Sequence, residues 1–161
     1  MPIPDPEVQL LRHTVATLAY RAGKALRDAP PAFADFQASA GTRSPARILA
    51  HMGDLFDWAL QLADGKPVWQ DSTPLPWTEE VARFFGALEA FDRRLASGAP
   101  LGYPAGRLFQ GPVADALTHT GQLTLLRRIF GQPVRGENYF RADIETGKAG
   151  REQAAPRVEF D

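Results

Sequence analysis

At 161 residues, with 44% hydrophobic and 23% charged side chains, the chain is long enough to bury one core and too apolar to be wholly disordered. Its 18 Lys plus Arg against 19 Asp plus Glu give a net charge of −1, which excludes any general electrostatic attraction to nucleic acid or to an anionic membrane surface. The absence of cysteine removes disulfides, thiolate metal sites and a cysteine nucleophile together, so any thiol chemistry requires an external thiol.

The opening Met-Pro-Ile-Pro-Asp-Pro-Glu has neither the basic region nor the apolar stretch of a secretory signal, and no later run reaches membrane-spanning length. The expectation is a cytoplasmic protein. Asp5 as N-cap, Pro6 at the first helical position and Glu7 behind it start a first helix. Its stripe, Val8, Leu11, Val15, Leu18, Ala22 and Leu26, advances by threes and fours, which repeats one face of a helix, until Pro30-Pro31 ends it. Ser44-Pro45 repeats the cap-then-proline order and opens a second helix carrying Ile48, Met52, Leu55, Ala59 and Leu62, stopped by Asp64-Gly65-Lys66-Pro67. A connection bearing Trp69 and Trp77 leads to a third helix near Thr78, with Glu79 and Glu80 in its first turn. That helix turns Val81, Phe84, Leu88, Phe91 and Leu95 inward, and Ser97-Gly98 and Pro100 close it. Gly111-Pro112 opens the fourth helix, which runs through Leu117, Leu123 and Leu126 to Phe130 before Gly131 and Pro133. Glu137 to Thr146 reads as a short fifth helix, and the polar tail from about residue 148 as irregular. The sum is a single all-α domain over 1–161, a four-helix bundle with long connections and a short C-terminal helix.

Three histidines carry the readable chemistry. His13 lies two residues from both Leu11 and Val15, off the apolar stripe, and reads as a solvated surface group. His51 sits among Ile48, Met52 and Leu55, on or beside a packing face where an unpaired imidazole is costly. Asp115 and His119, four residues apart, stack on one face of the fourth helix, so they can converge on one ion. By spacing alone that pair reads equally as a buried ion pair, or Asp115 as a carboxylate favouring the helix dipole. Asp54, three residues after His51, reads as solvent-facing in preference to an acceptor for that imidazole. Gln122 reads as a packing residue ahead of one that bonds near the site, Gly121 as a place where a neighbouring helix comes close, and Arg127-Arg128 as a solvated helix end ahead of a contact for an anion. Trp58, Trp69, Trp77, Phe84 and Phe85 read as core before pocket wall.

The run Asp115-Ala116-Leu117-Thr118-His119-Thr120-Gly121-Gln122-Leu123, with Leu126-Arg127-Arg128 and Gly131 after it, resembles the fourth-helix motif of the DinB/YfiT-like family, whose usual form is His-x-x-x-His-x-Gly-Gln. Ser44-Pro45-Ala46-Arg47-Ile48-Leu49-Ala50-His51 resembles that family's other signature, a lone histidine after a Ser-Pro helix start, and the likeness spans about residues 5 to 147. The resemblance implies a bundle in which three residues hold a divalent metal, commonly nickel or zinc, with open coordination positions. Carried over by position, the ligands are His51, Asp115 and His119. Asp115 departs from the family's histidine; a carboxylate adds negative charge and turns preference toward harder ions such as iron or manganese. The resemblance further implies a metal-dependent transferase or hydrolase acting on a small-molecule substrate, with water or a low-molecular-weight thiol as the activated group, and a homodimer. The alternative is a non-enzymatic binding or stress-response protein stabilised by its metal, and a two-His, one-carboxylate iron oxygenase is a third. No nucleic-acid or membrane partner is expected.

Overall fold

Asp5 places its carboxylate on the backbone N–H of Glu7 and Pro6 occupies the first turn, so the first helix starts where local chemistry asks it to. The computed structural model describes residues 4–161. Helix α1 spans Pro6–Leu26 and α2 spans Pro45–Ala63, the latter capped by Ser44. Helix α3 spans Trp77–Ala96. The last helical run is composite: α4 (Ala105–Leu108), a π-helical segment (Phe109–Val113) and α5 (Ala114–Ile129) follow one another without leaving helical dihedrals. The mostly helical chain bears out the all-α bundle.

Helix α1 packs on α3 and α5, and α2 packs on the same two, most extensively on α3. The helices therefore ring the core in the order α1, α3, α2, α5. Consecutive α1 and α2 stand across the diagonal, which the long connection between them permits, and α2 and α5 become neighbours. Between the helices lie the fully buried Phe56, Phe84, Phe91, Leu18, Leu49, Met52, Leu88 and Leu123. Phe56 meets Phe84 and Phe91 at centroid distances of 6.3 and 5.8 Å, joining α2 to α3. Phe33, from the turn Pro31–Phe33, is fully buried and packs edge-on against Trp77 and Phe130.

Two expectations are corrected. The fourth helix does not begin at Gly111-Pro112: helical backbone begins at Ala105, and Pro112 lies inside it. Proline lacks an N–H and crowds the carbonyl one turn back, and the widened π turn accommodates both. Nor do residues 137–146 form a fifth helix. Strand β1 (Gly136–Glu137) pairs antiparallel with β2 (Glu159–Phe160), and only a single 3-10 turn, Tyr139–Arg141, lies between. The stretch is drawn into this pairing because Glu137 is captured by α1: its carboxylate accepts from Tyr20 Oη and Lys24 Nζ, each at 2.6 Å.

Candidate metal centre

Helix α2 delivers His51 and α5 delivers Asp115 and His119 to the seam between these neighbouring helices. Rigid elements thus hold all three. His51 Nε2 lies 3.3 Å from Asp115 Oδ2, and His119 Nε2 lies 3.5 Å from Asp115 Oδ1. One ligand atom from each residue falls within 4.8 Å of the others, a group that could hold a metal ion. Two donors bound to one ion at about 2.0 to 2.1 Å in tetrahedral geometry stand about 3.3 Å apart, and each imidazole already lies near that distance from one oxygen of Asp115, His51 from Oδ2 and His119 from Oδ1.

The tautomer of His119 is the more telling feature. Its Nδ1 faces Gln122 Oε1 at 2.7 Å. A carboxamide oxygen only accepts, so Nδ1 donates to it and the ring is held with Nε2 turned toward the Asp115 carboxylate. A lone pair facing an anion is unfavourable unless a proton or a cation stands between them. The three side chains could hold a metal ion, and Gln122 stands where partners that orient metal-binding imidazoles commonly stand. Of the two readings of Gln122, packing and a bond near the site, the structure favours the second: the residue is exposed and its amide oxygen meets His119 Nδ1.

Burial is graded across the group. The side chains of His119 and His51 are 11% and 21% exposed, whereas Asp115 is 46% exposed. The rings of His51 and His119 are nearly perpendicular with centroids 4.9 Å apart. Trp69 packs its edge against His51 at 5.6 Å and against Trp58 at 5.8 Å, so the connection after α2 walls one flank. On the Asp115 side an open groove of about 440 Å³ runs past Leu55, Trp58, Gly111 and Thr118.

The remaining assignments sort themselves by contact. His13 is exposed and meets only Thr146 Oγ1, at 3.1 Å. Asp54 neither faces solvent nor touches His51: it is buried, accepts from the backbone N–H and hydroxyl of Ser72, and pairs with Arg83. The bonds to Ser72 pin the connection that carries Trp69. Arg127 is not a solvated helix end either; it is buried and donates to the carbonyls of Ala25, Arg27 and Gln132. No atom beyond the adjoining helix backbone would meet a Cβ at Gly121, so no neighbouring helix explains that glycine. Phe84 and Phe85 are core, and Trp77 packs on Phe33, whereas Trp58 and Trp69 flank the site. Among the described residues no helix is long and apolar enough to cross a membrane. No family model, curated protein or solved structure matches the chain.

Proposed function

We propose that this chain is a divalent-metal-dependent enzyme of the DinB-like type, with His51, Asp115 and His119 as its metal ligands and a transferase or hydrolase reaction at the open side of the group. The observation that carries the reading is the convergence of His51 Nε2 and His119 Nε2 on the one Asp115 carboxylate, with the His119 ring held by Gln122. Nickel and zinc suit two imidazoles; Asp115 makes iron and manganese competent as well. An ion held there supplies Lewis acidity toward a substrate oxygen and lowers the pKa of a water or of an external low-molecular-weight thiol.

The chain's own residues supply the rest. Gln122 fixes the ring of His119, Trp69 and Trp58 keep water from one flank of His51, and the exposed edge of Asp115 leaves an approach for a small-molecule substrate. Such an approach favours catalysis over a purely structural ion, for which a closed shell of protein ligands is usual. Kinship with the DinB/YfiT-like family rests on the order of helices and the two motifs around His51 and His119, with Asp115 as the departure.

Elemental analysis of untagged protein after reconstitution tests the proposal. Close to one equivalent of a divalent metal is expected, with loss of it in His51→Ala and His119→Ala. A metal content near zero in the unaltered protein would overturn the reading. Turnover of electrophiles or esters by the loaded protein, with and without a small thiol, then separates catalysis from a structural role.

A further inference from the structure

Arg47 precedes His51 by one helical turn on the same face of α2, and Arg43 lies just before the cap of that helix. Together with Asp71 and Ser72 of the connection after α2, these three side chains line a cleft of about 300 Å³. Both arginines are exposed, and among the described residues no ion pair engages either guanidinium. The cleft wall is not slack, because Ser72 is fastened to the buried Asp54 by two hydrogen bonds of 2.9 and 2.6 Å.

We propose that Arg43 and Arg47 form an anion subsite that holds the carboxylate or phosphate group of a small-molecule substrate beside His51. Two guanidiniums against the single carboxylate of Asp71 leave the cleft with excess positive charge in a concave setting, where planar forked donors suit either anion. Backbone amides of the α2 start do not do this work: Ala46 N–H donates to Ala34 O, and Arg47 N–H donates to Ser44 Oγ. Recognition therefore falls to the arginine side chains. The subsite shares His51 with the candidate metal centre, so a substrate anchored there has its reactive end directed to the ligand group. The inference deepens the metal-dependent reading, and the binding it requires is measurable without metal.

Calorimetric titration of the metal-free full-length chain with inorganic phosphate and, separately, with succinate tests it at low ionic strength, where exposed charges are least screened. Saturable binding of at least one probe is expected, weakened about tenfold or more in Arg43→Gln and in Arg47→Gln, but unchanged in Arg128→Gln, which removes an exposed arginine of α5. The preferred probe assigns the anion. Arg47→Lys should bind more weakly than the wild type but better than Arg47→Gln, since it keeps charge and loses the fork. Circular dichroism confirms that each variant is folded. Absence of saturable binding in the wild type, or wild-type affinity retained in either glutamine variant, would overturn the subsite. Metal content of the same protein after reconstitution, read separately, keeps the two readings apart: anion binding with no metal uptake leaves the subsite standing and sinks the metal centre, and metal uptake without anion binding does the reverse.

Discussion

His119 is specified by what occupies its other nitrogen. With Nδ1 donating to Gln122 Oε1 at 2.7 Å, rotation of the ring would break a bond that orients Nε2. In Gln122→Ala the ring loses that partner, and metal affinity should fall by about 10- to 100-fold. The residue is largely exposed, so global stability should move by no more than about 0.5 kcal/mol. Competition against a chelator of known affinity, beside urea unfolding of the metal-free protein, reads both quantities; unchanged affinity would remove Gln122 from the site. Asp115→Asn poses a different question, because it keeps the shape of the side chain and removes its charge. Metal binding should drop sharply, since the anionic member of the ligand set is lost, while the metal-free fold persists because this side chain is 46% exposed. Retention of wild-type metal content in Asp115→Asn would leave the two imidazoles as the whole site.

Helix ends show where an element depends on residues far from it. The last carbonyls of α1 cannot bond within their own helix, and Arg127 reaches across from α5 to those of Ala25 and Arg27 at 3.0 and 2.9 Å. Burial pulls the Arg127 guanidinium below its usual value, yet it stays charged at any ordinary pH. Arg127→Met keeps most of the apolar stem and abandons those carbonyls, so it should cost on the order of 3 kcal/mol by urea unfolding. A loss under about 1 kcal/mol would mean that water takes over the role. The starts of α1 and α2 were legible in the sequence because a cap is a local event: Asp5 and Ser44 act within three residues. The pairing of Asp115 with His119 was legible for the same reason, being one turn of one helix. Arg127 was not, since two of its three acceptors lie 100 and 102 residues away. Asp54 misled in the same manner; its partners Ser72 and Arg83 belong to other segments. Gly111-Pro112 misled for a subtler reason, because proline one residue into a helix and proline in a π turn share one local signature. That α2 and α5 are adjacent, which brings His51 to Asp115, depends on ring order around the core, and the residue pattern carries no record of it beyond the family resemblance.

At the scale of the whole molecule, the chain closes on itself through a buried polar knot. Lys24 Nζ on α1 binds Glu137 Oε1 at 2.6 Å and Glu159 Oε2 at 2.9 Å, which ties both strands of the small sheet to the bundle. Burial alone would lower the Lys24 ammonium, but the hydrogen bonds it donates to Glu137 and Glu159 outweigh that and the net direction is upward. A raised folded value stabilises the native state fully below the ordinary lysine range, and the gain is lost as pH rises through the folded value. Tyr20 moves the same way, pushed up by burial and then by its bond to Glu137, so the phenol remains a donor well into the alkaline range. Glu159 moves down because Lys24 favours its charged form; its contribution is present above the ordinary carboxylate value and lost as pH falls through the lower folded one. The knot should therefore hold across the neutral range and loosen at both extremes. Lys24→Met removes the shared cation at similar bulk and leaves the Glu137 carboxylate, whose side chain is fully buried, with only the Tyr20 hydroxyl. The expected cost is about 3 kcal/mol, concentrated where the strands dock. Hydrogen exchange at pH 7 should show residues 136–161 losing protection by orders of magnitude while α2 and α5 keep theirs, and metal affinity should stay within about twofold because none of the three ligands touches the knot. Full protection of 136–161 in Lys24→Met would show that strand pairing and Tyr139 packing hold the segment without the ammonium, and simultaneous loss of metal would show that the knot and the metal centre are coupled.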